Sequence, residues 1–177
     1  MLGALKITAV ILGFCAVCSV GRACDLNGKA VTGQVVTCDK RTGKCDQGIG
    51  QRIKFLGNKV FDYGTDDTGL IYTIDETVNA LTDPSHYAHF KKIEQDNGTG
   101  LRMTQYLITA TRNGDVVTLK QDTAHVVRGV LGKNVTSVSI KFTSCHSCQF
   151  VTANTNTWYS GTLVWSSTLR RQTCEVQ

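Results

Sequence analysis

Strand-length stretches of β-branched and aromatic residues, cut apart by Gly- and Asn-containing turns, run through most of this chain and confine it to folds built on a sheet. Segments 30–37, 52–56, 101–111, 116–120, 125–130, 135–143 and 157–165 have this character. Between them stand Gly57-Asn58, Asn97-Gly98, Asn113-Gly114 and Gly132-Lys133-Asn134, residues that accept the positive φ of tight turns at little cost. Such short connections join neighbouring strands head to tail, so a largely antiparallel sheet is expected. One segment departs from the pattern. Thr73-Ile74-Asp75-Glu76 matches a capping box, in which the Thr hydroxyl and Glu carboxylate satisfy free N–H groups at a helix start. Ile74, Val78 and Leu81 follow on one apolar face and Pro84 ends the run. The spacing predicts a short acidic helix over 73–82.

The N-terminus reads as an export signal. Lys6 precedes an apolar stretch over 7–20, and Gly21-Arg22-Ala23 offers small residues at the positions a signal peptidase reads, so residues 1–23 are expected to be a signal peptide and 24–177 a single secreted domain. Lipidation at Cys24 fits poorly with Gly21 and Arg22 before it. No second apolar stretch approaches the roughly 20 residues of a membrane helix, so no membrane partner is expected.

Of the 8 cysteines, Cys15 and Cys18 fall in the leader. Cys24, Cys38, Cys45, Cys145, Cys148 and Cys174 remain, and an even number in an exported chain reads as disulfides. Sequence does not choose among the pairings; Cys24–Cys174, Cys38–Cys45 and Cys145–Cys148 are the expected set. Cys145-His146-Ser147-Cys148 has redox spacing, but strand-like neighbours favour a structural bridge. Zinc is disfavoured by oxidising export and by the spacing of Cys38 and Cys45. No metal and no cofactor is expected.

The chain carries 19 basic and 14 acidic residues, unevenly spread. Between Val60 and Phe90 lie Asp62, Asp66, Asp67, Asp75, Glu76 and Asp83 with no Lys or Arg, which concentrates positive charge on the rest. That suggests a basic face, although a solvated surface is the plainer reading. Asn97-Gly98-Thr99 and Asn134-Val135-Thr136 are acceptor sequons at expected turns, so Asn97 and Asn134 are glycosylation candidates.

From Tyr72 to Thr143 the order of motifs resembles the small secreted guanyl-specific ribonucleases of fungi and the ribonuclease-like effectors that share their fold. Tyr87-Ala88-His89 follows the expected helix where that family has Tyr-Pro-His. Gln105-Tyr106-Leu107-Ile108 resembles its Glu-aromatic-Pro-Ile strand, Asn113-Gly114-Asp115-Val116 the turn after it, Ala124-His125-Val126-Val127 its Asp-Arg-Val-Val strand, and Phe142-Thr143 its His-Thr. The resemblance implies an α+β fold, a single short helix packed on a curved antiparallel β-sheet, here disulfide-stapled.

Family chemistry needs a base for the 2′-OH, an acid for the leaving oxygen and cations on the phosphate. His89 keeps its place, but Gln105 stands at the base position, His125 at the Arg position and Phe142 at the acid position. A carboxamide is no base at neutral pH and a phenyl ring has no proton to give. The family's Asn-rich guanine loop is replaced by Lys91-Lys92-Ile93-Glu94-Gln95. The resemblance thus implies a degenerate site without catalysis, in which Tyr87, His89, Lys91, Lys92 and His125 bind RNA or a host protein. The plainer readings are solvated lysines, a core-edge Tyr87 and a structural His89.

The expected protein is a monomeric, secreted, virulence-type effector and pseudo-ribonuclease, extracellular with later entry into host cells as a further step. Two alternatives remain open. One is an active endoribonuclease with a rearranged site, His89 acting with His125, Glu94 or His86. The other is an unrelated extracellular β-rich binding or inhibitory protein.

Overall fold

Where β-branched residues alternate with polar ones, the chain pairs into sheet. The computed structural model describes residues 24–46, 49–63, 69–84, 101–171 and 173–177; the expected signal peptide lies outside them. The strands are β1 (Ala30–Asp39), β2 (Ile49–Leu56), β3 (Lys59–Tyr63), β4 (Leu70–Thr73), β5 (Thr77–Asn79), β6 (Leu101–Asn113), β7 (Val116–Val127), β8 (Val130–Phe142), β9 (Ser147–Tyr159), β10 (Thr162–Arg171) and β11 (Thr173–Val176). They form one 11-stranded sheet in the order β4-β3-β2-β1-β10-β9-β8-β7-β6-β5. β11 takes over from β10 in the slot between β1 and β9.

The sheet curls until its two ends meet. Ile74, just past β4, bridges to Ala110 of β6, and the Asp75 N–H donates to the Ala110 carbonyl at 2.7 Å. Inward-facing Val31, Ile53, Phe55, Val60, Tyr72, Ile108, Val117 and Ile140 are fully buried between the facing parts of the sheet. Phe55 meets Phe142 edge to face with ring centroids 5.8 Å apart. This apolar filling occupies one end of the molecule. Along β7 the inward positions change from Val117 and Leu119 to Gln121, Thr123 and His125, so the interior becomes polar toward the end formed by the β7–β8 and β9–β10 turns. We refer to that end as the tip.

No helix forms over 73–82, and the expected helix-on-sheet α+β architecture is replaced by a sheet folded on itself. Thr73 closes β4, Asp75 takes a left-handed conformation (φ 64°), and Thr77–Asn79 pairs with Thr109–Leu107. Ile74, Val78 and Leu81 do pack on the core, but from a strand and its flanking turns. A helix of about ten residues is marginal alone, whereas pairing with β6 satisfies the backbone groups and buries the same side chains.

The disulfides are Cys24–Cys145, Cys38–Cys45 and Cys148–Cys174. Of the expected pairs only Cys38–Cys45 forms. Pairing of β11 with β9 sets Cys174 directly opposite Cys148, which takes both away from the expected partners. Cys145 is left to the N-terminal segment, which the Arg112 guanidinium holds through the Cys24 carbonyl. Bridges of this kind belong to an oxidising compartment such as the cell exterior. Among the described residues no helix is long and apolar enough to cross a membrane.

Candidate functional site

Of the positions drawn from the ribonuclease resemblance, the three among the described residues, Gln105, His125 and Phe142, do not converge. His125 sits on the inner face of β7, 2% exposed, opposite Gly132 of β8, which is itself opposite Tyr159 of β9. The imidazole lies over the glycine, where an added Cβ would collide with Nε2, and meets the Tyr159 ring edge-on at 5.7 Å. An aromatic ring covering a cross-strand glycine is a packing device of sheets. The Nδ1 atom is buried without a hydrogen-bond partner, and burial lowers the pKa of the ring. His125 therefore stays neutral near pH 7 and is unavailable to an anion in solvent.

Gln105 pairs with Ala124 across the β6 irregularity while Met103 pairs with His125, so Gln105 faces away from the histidine. Phe142 is 5% exposed at the far end of β8, roughly 30 Å along the strand from Gly132 at about 3.3 Å per residue. A cleft holding Gln105, His125 and Phe142 is thus not formed: the meander places them on different faces and at opposite ends. Tyr87, His89, Lys91, Lys92 and Asn97 lie outside the described residues, as do His86 and Glu94.

Asn134 is not at a turn. It stands within β8 between Thr123 and Thr157, on the inner face, with a buried and unpartnered Oδ1. The expected turn at Gly132–Asn134 is continuous strand, and glycine serves there as the seat of His125. A second polar group in the interior is Asp62 of β3. Its Oδ1 is buried without a partner, and desolvation raises the carboxyl from its usual range to about 6. Burial, and then the Asp62 charge, push the phenols of Tyr72 and Tyr106 upward, Tyr106 to about 12. The Tyr72 hydroxyl accepts from Gln121 Nε2 at 2.9 Å.

The surface feature that stands out is at the tip. A cleft of about 390 Å³ is lined by Asp39, Lys40, Arg41, Asn156 and Leu163 to Ser166. The Asp39 carboxylate accepts from the backbone N–H groups of Thr42 and Arg41 at 2.7 and 2.8 Å, bonds that hold its pKa low together with the Trp165 ring N–H. The Lys40 N–H donates to the Ser166 carbonyl, fixing the basic loop against β10. Beyond the cleft two hairpin turns stand side by side, with the Ser160 N–H donating to the Leu131 carbonyl. In each turn both central residues have positive φ, Arg128 (48°) with Gly129 (81°) and Ser160 (48°) with Gly161 (78°), the tight type that matches strand twist.

Sequence reasoning missed these residues. The available signal was Leu163-Val164-Trp165, three large apolar residues in a row where a half-buried strand alternates. No family model, curated protein or solved structure matches this chain.

Proposed function

We propose that this chain is a non-catalytic extracellular binding domain that meets its partner with the tip. One observation carries the reading. Of the seven large apolar side chains exposed among the described residues, five, Val130, Leu131, Leu163, Val164 and Trp165, gather on and beside the two tip turns. Clustered apolar exposure marks interaction sites, whereas isolated cases need no explanation. A secreted effector role is compatible with such a surface, but it rests on this surface and on the export signal, no longer on a ribonuclease fold.

The rearranged nuclease is the weaker reading where His89 would act with His125, because that form needs His125 to exchange protons with a substrate; pairings of His89 with Glu94 or His86 lie outside the described residues. The His125 ring is enclosed by Gly132 and Tyr159 and has no open approach to a phosphate. The test is cleavage of a fluorescent RNA by the oxidised mature protein across roughly pH 5–8, where histidines titrate. The expected result is no turnover; turnover that disappears in His89→Ala would make the protein an enzyme and overturn the proposal.

A further inference from the structure

Resting on the tip as the binding surface, we infer that its partner is an anionic lipid bilayer, on which the protein docks peripherally. The two turns stand together at one end of the sheet, preorganised by short type I′ connections and by the hydrogen bond from Ser160 to Leu131. Side chains there need little ordering before they enter an interface. Leu131 is 65% exposed, Leu163 51% and Val164 48%, positions at turn margins where solvated hairpins carry polar residues. Both tryptophans of the chain, Trp158 and Trp165, stand directly behind them on β9 and β10, and indole rings favour the headgroup level of a bilayer.

Charge selects the kind of surface. Arg128 stands in the tip turn, Lys40 and Arg41 line the adjoining cleft, and Arg102 of β6 lies opposite Val126, one residue pair behind the pair that closes the turn. Among the described residues the acids of this region are fewer than the cations: Asp39 stays charged, held by backbone N–H groups, and Asp122 is paired with Lys120 and Lys133 at 3.9 and 3.3 Å. At the opposite end signs are mixed, with Asp25, Asp75, Glu76, Asp115 and Glu175 beside Lys29, Lys54, Lys59 and Lys141. An apolar crown ringed by cations complements a bilayer whose headgroups are negative and whose interior is apolar. Two copies meeting tip to tip would bring like charges together, which disfavours self-association there. The expectation of no membrane partner came from the lack of a spanning segment, and peripheral docking requires none.

The test is co-sedimentation of the full oxidised domain with vesicles of phosphatidylcholine alone and of phosphatidylcholine with phosphatidylserine at roughly three to one. Binding is expected on the anionic vesicles only, and it should weaken between about 0.1 and 1 M salt, as the screening length falls from roughly 10 to 3 Å. Leu131→Ser with Leu163→Ser should lower it at least about tenfold, and Lys40→Glu with Arg41→Glu by at least about tenfold again. Val151→Ser, an exposed position away from the tip turns on β9, should leave it unchanged; circular dichroism checks that each variant folds. Vesicle binding that survives the paired tip substitutions would remove the tip as the binding surface. No binding to either vesicle, with tip-dependent binding of RNA or a protein, would overturn the lipid inference while leaving the proposed binding function in place.

Discussion

Replacing Asp62 by asparagine should make the protein more stable at neutral pH, by an amount the structure sets. The carboxyl points inward from β3 with a buried, unpartnered Oδ1, and its pKa stands at about 6 against the ordinary 3.8. At about 1.36 kcal/mol for each tenfold change in proton affinity, keeping it ionised costs the fold about 3 kcal/mol. Below about pH 4 the group is protonated in both states and contributes nothing. Between about pH 4 and 6 the unfolded chain loses its proton first, so stability falls as pH rises, and above about 6 the full cost persists.

A carboxamide in place of the carboxyl would mimic the neutral acid and remove that slope. Urea titrations of wild type and Asp62→Asn, disulfides intact, should coincide near pH 4 and diverge to about 3 kcal/mol by pH 7, or roughly 6–12 °C in Tm. His125 acts in the opposite sense, because its lowered pKa takes stability away as pH falls, and taking the difference between the two proteins cancels it. A difference that stays flat from pH 4 to 7, or a variant less stable at pH 7, would refute the reasoning.

Gly132→Ala should destabilise by about 1–3 kcal/mol through its collision with His125, and His125→Ala in the same chain should recover part of the loss, a coupling that a double-mutant cycle in urea reads. Non-reducing peptide mapping should find Cys24–Cys145 and Cys148–Cys174, with loop-closure entropy ranking the cost of removing each bridge. The spans of 121, 26 and 7 residues give about 5, 3.5 and 2 kcal/mol, and an inverted order in thermal unfolding would contradict that. In a eukaryotic host, mass spectrometry of the folded protein should find Asn134 without a glycan, since its carboxamide faces the interior of the sheet; an occupied site would show that β8 does not pair as described.

The strands themselves were legible because alternation survives in them: β1, β6, β7 and β8 follow stretches that read as extended. Turns were legible only when their residues announced them. Asn113-Gly114 closes β6 onto β7 as expected, but Arg128-Gly129 and Ser160-Gly161 were read through as strand, because Arg and Ser carry a weak preference for positive φ. Gly132 misled in the other direction, a glycine kept for the ring above it and not for a bend. The helix over 73–82 failed for a tertiary reason: the local signal at Thr73 to Glu76 is real, but the partner strand at 107–109 outweighs it.

The tip was invisible for a related reason. Leu131 and Leu163 lie far apart in sequence, and only the order β8-β9-β10 brings them to one edge. The resemblance to ribonucleases matched short motifs in order, and order does not fix which face of a strand each residue occupies.

Because Trp158 and Trp165 are the only tryptophans in the chain, tryptophan emission, excited selectively over that of the 5 tyrosines, reports on the tip. Titrating the wild-type protein with phosphatidylserine-containing vesicles should shift its emission to the blue as the indoles leave water, while RNA should leave it unchanged. Emission unaffected by vesicles that demonstrably bind the protein would contradict the account, since the docking surface would then lie elsewhere.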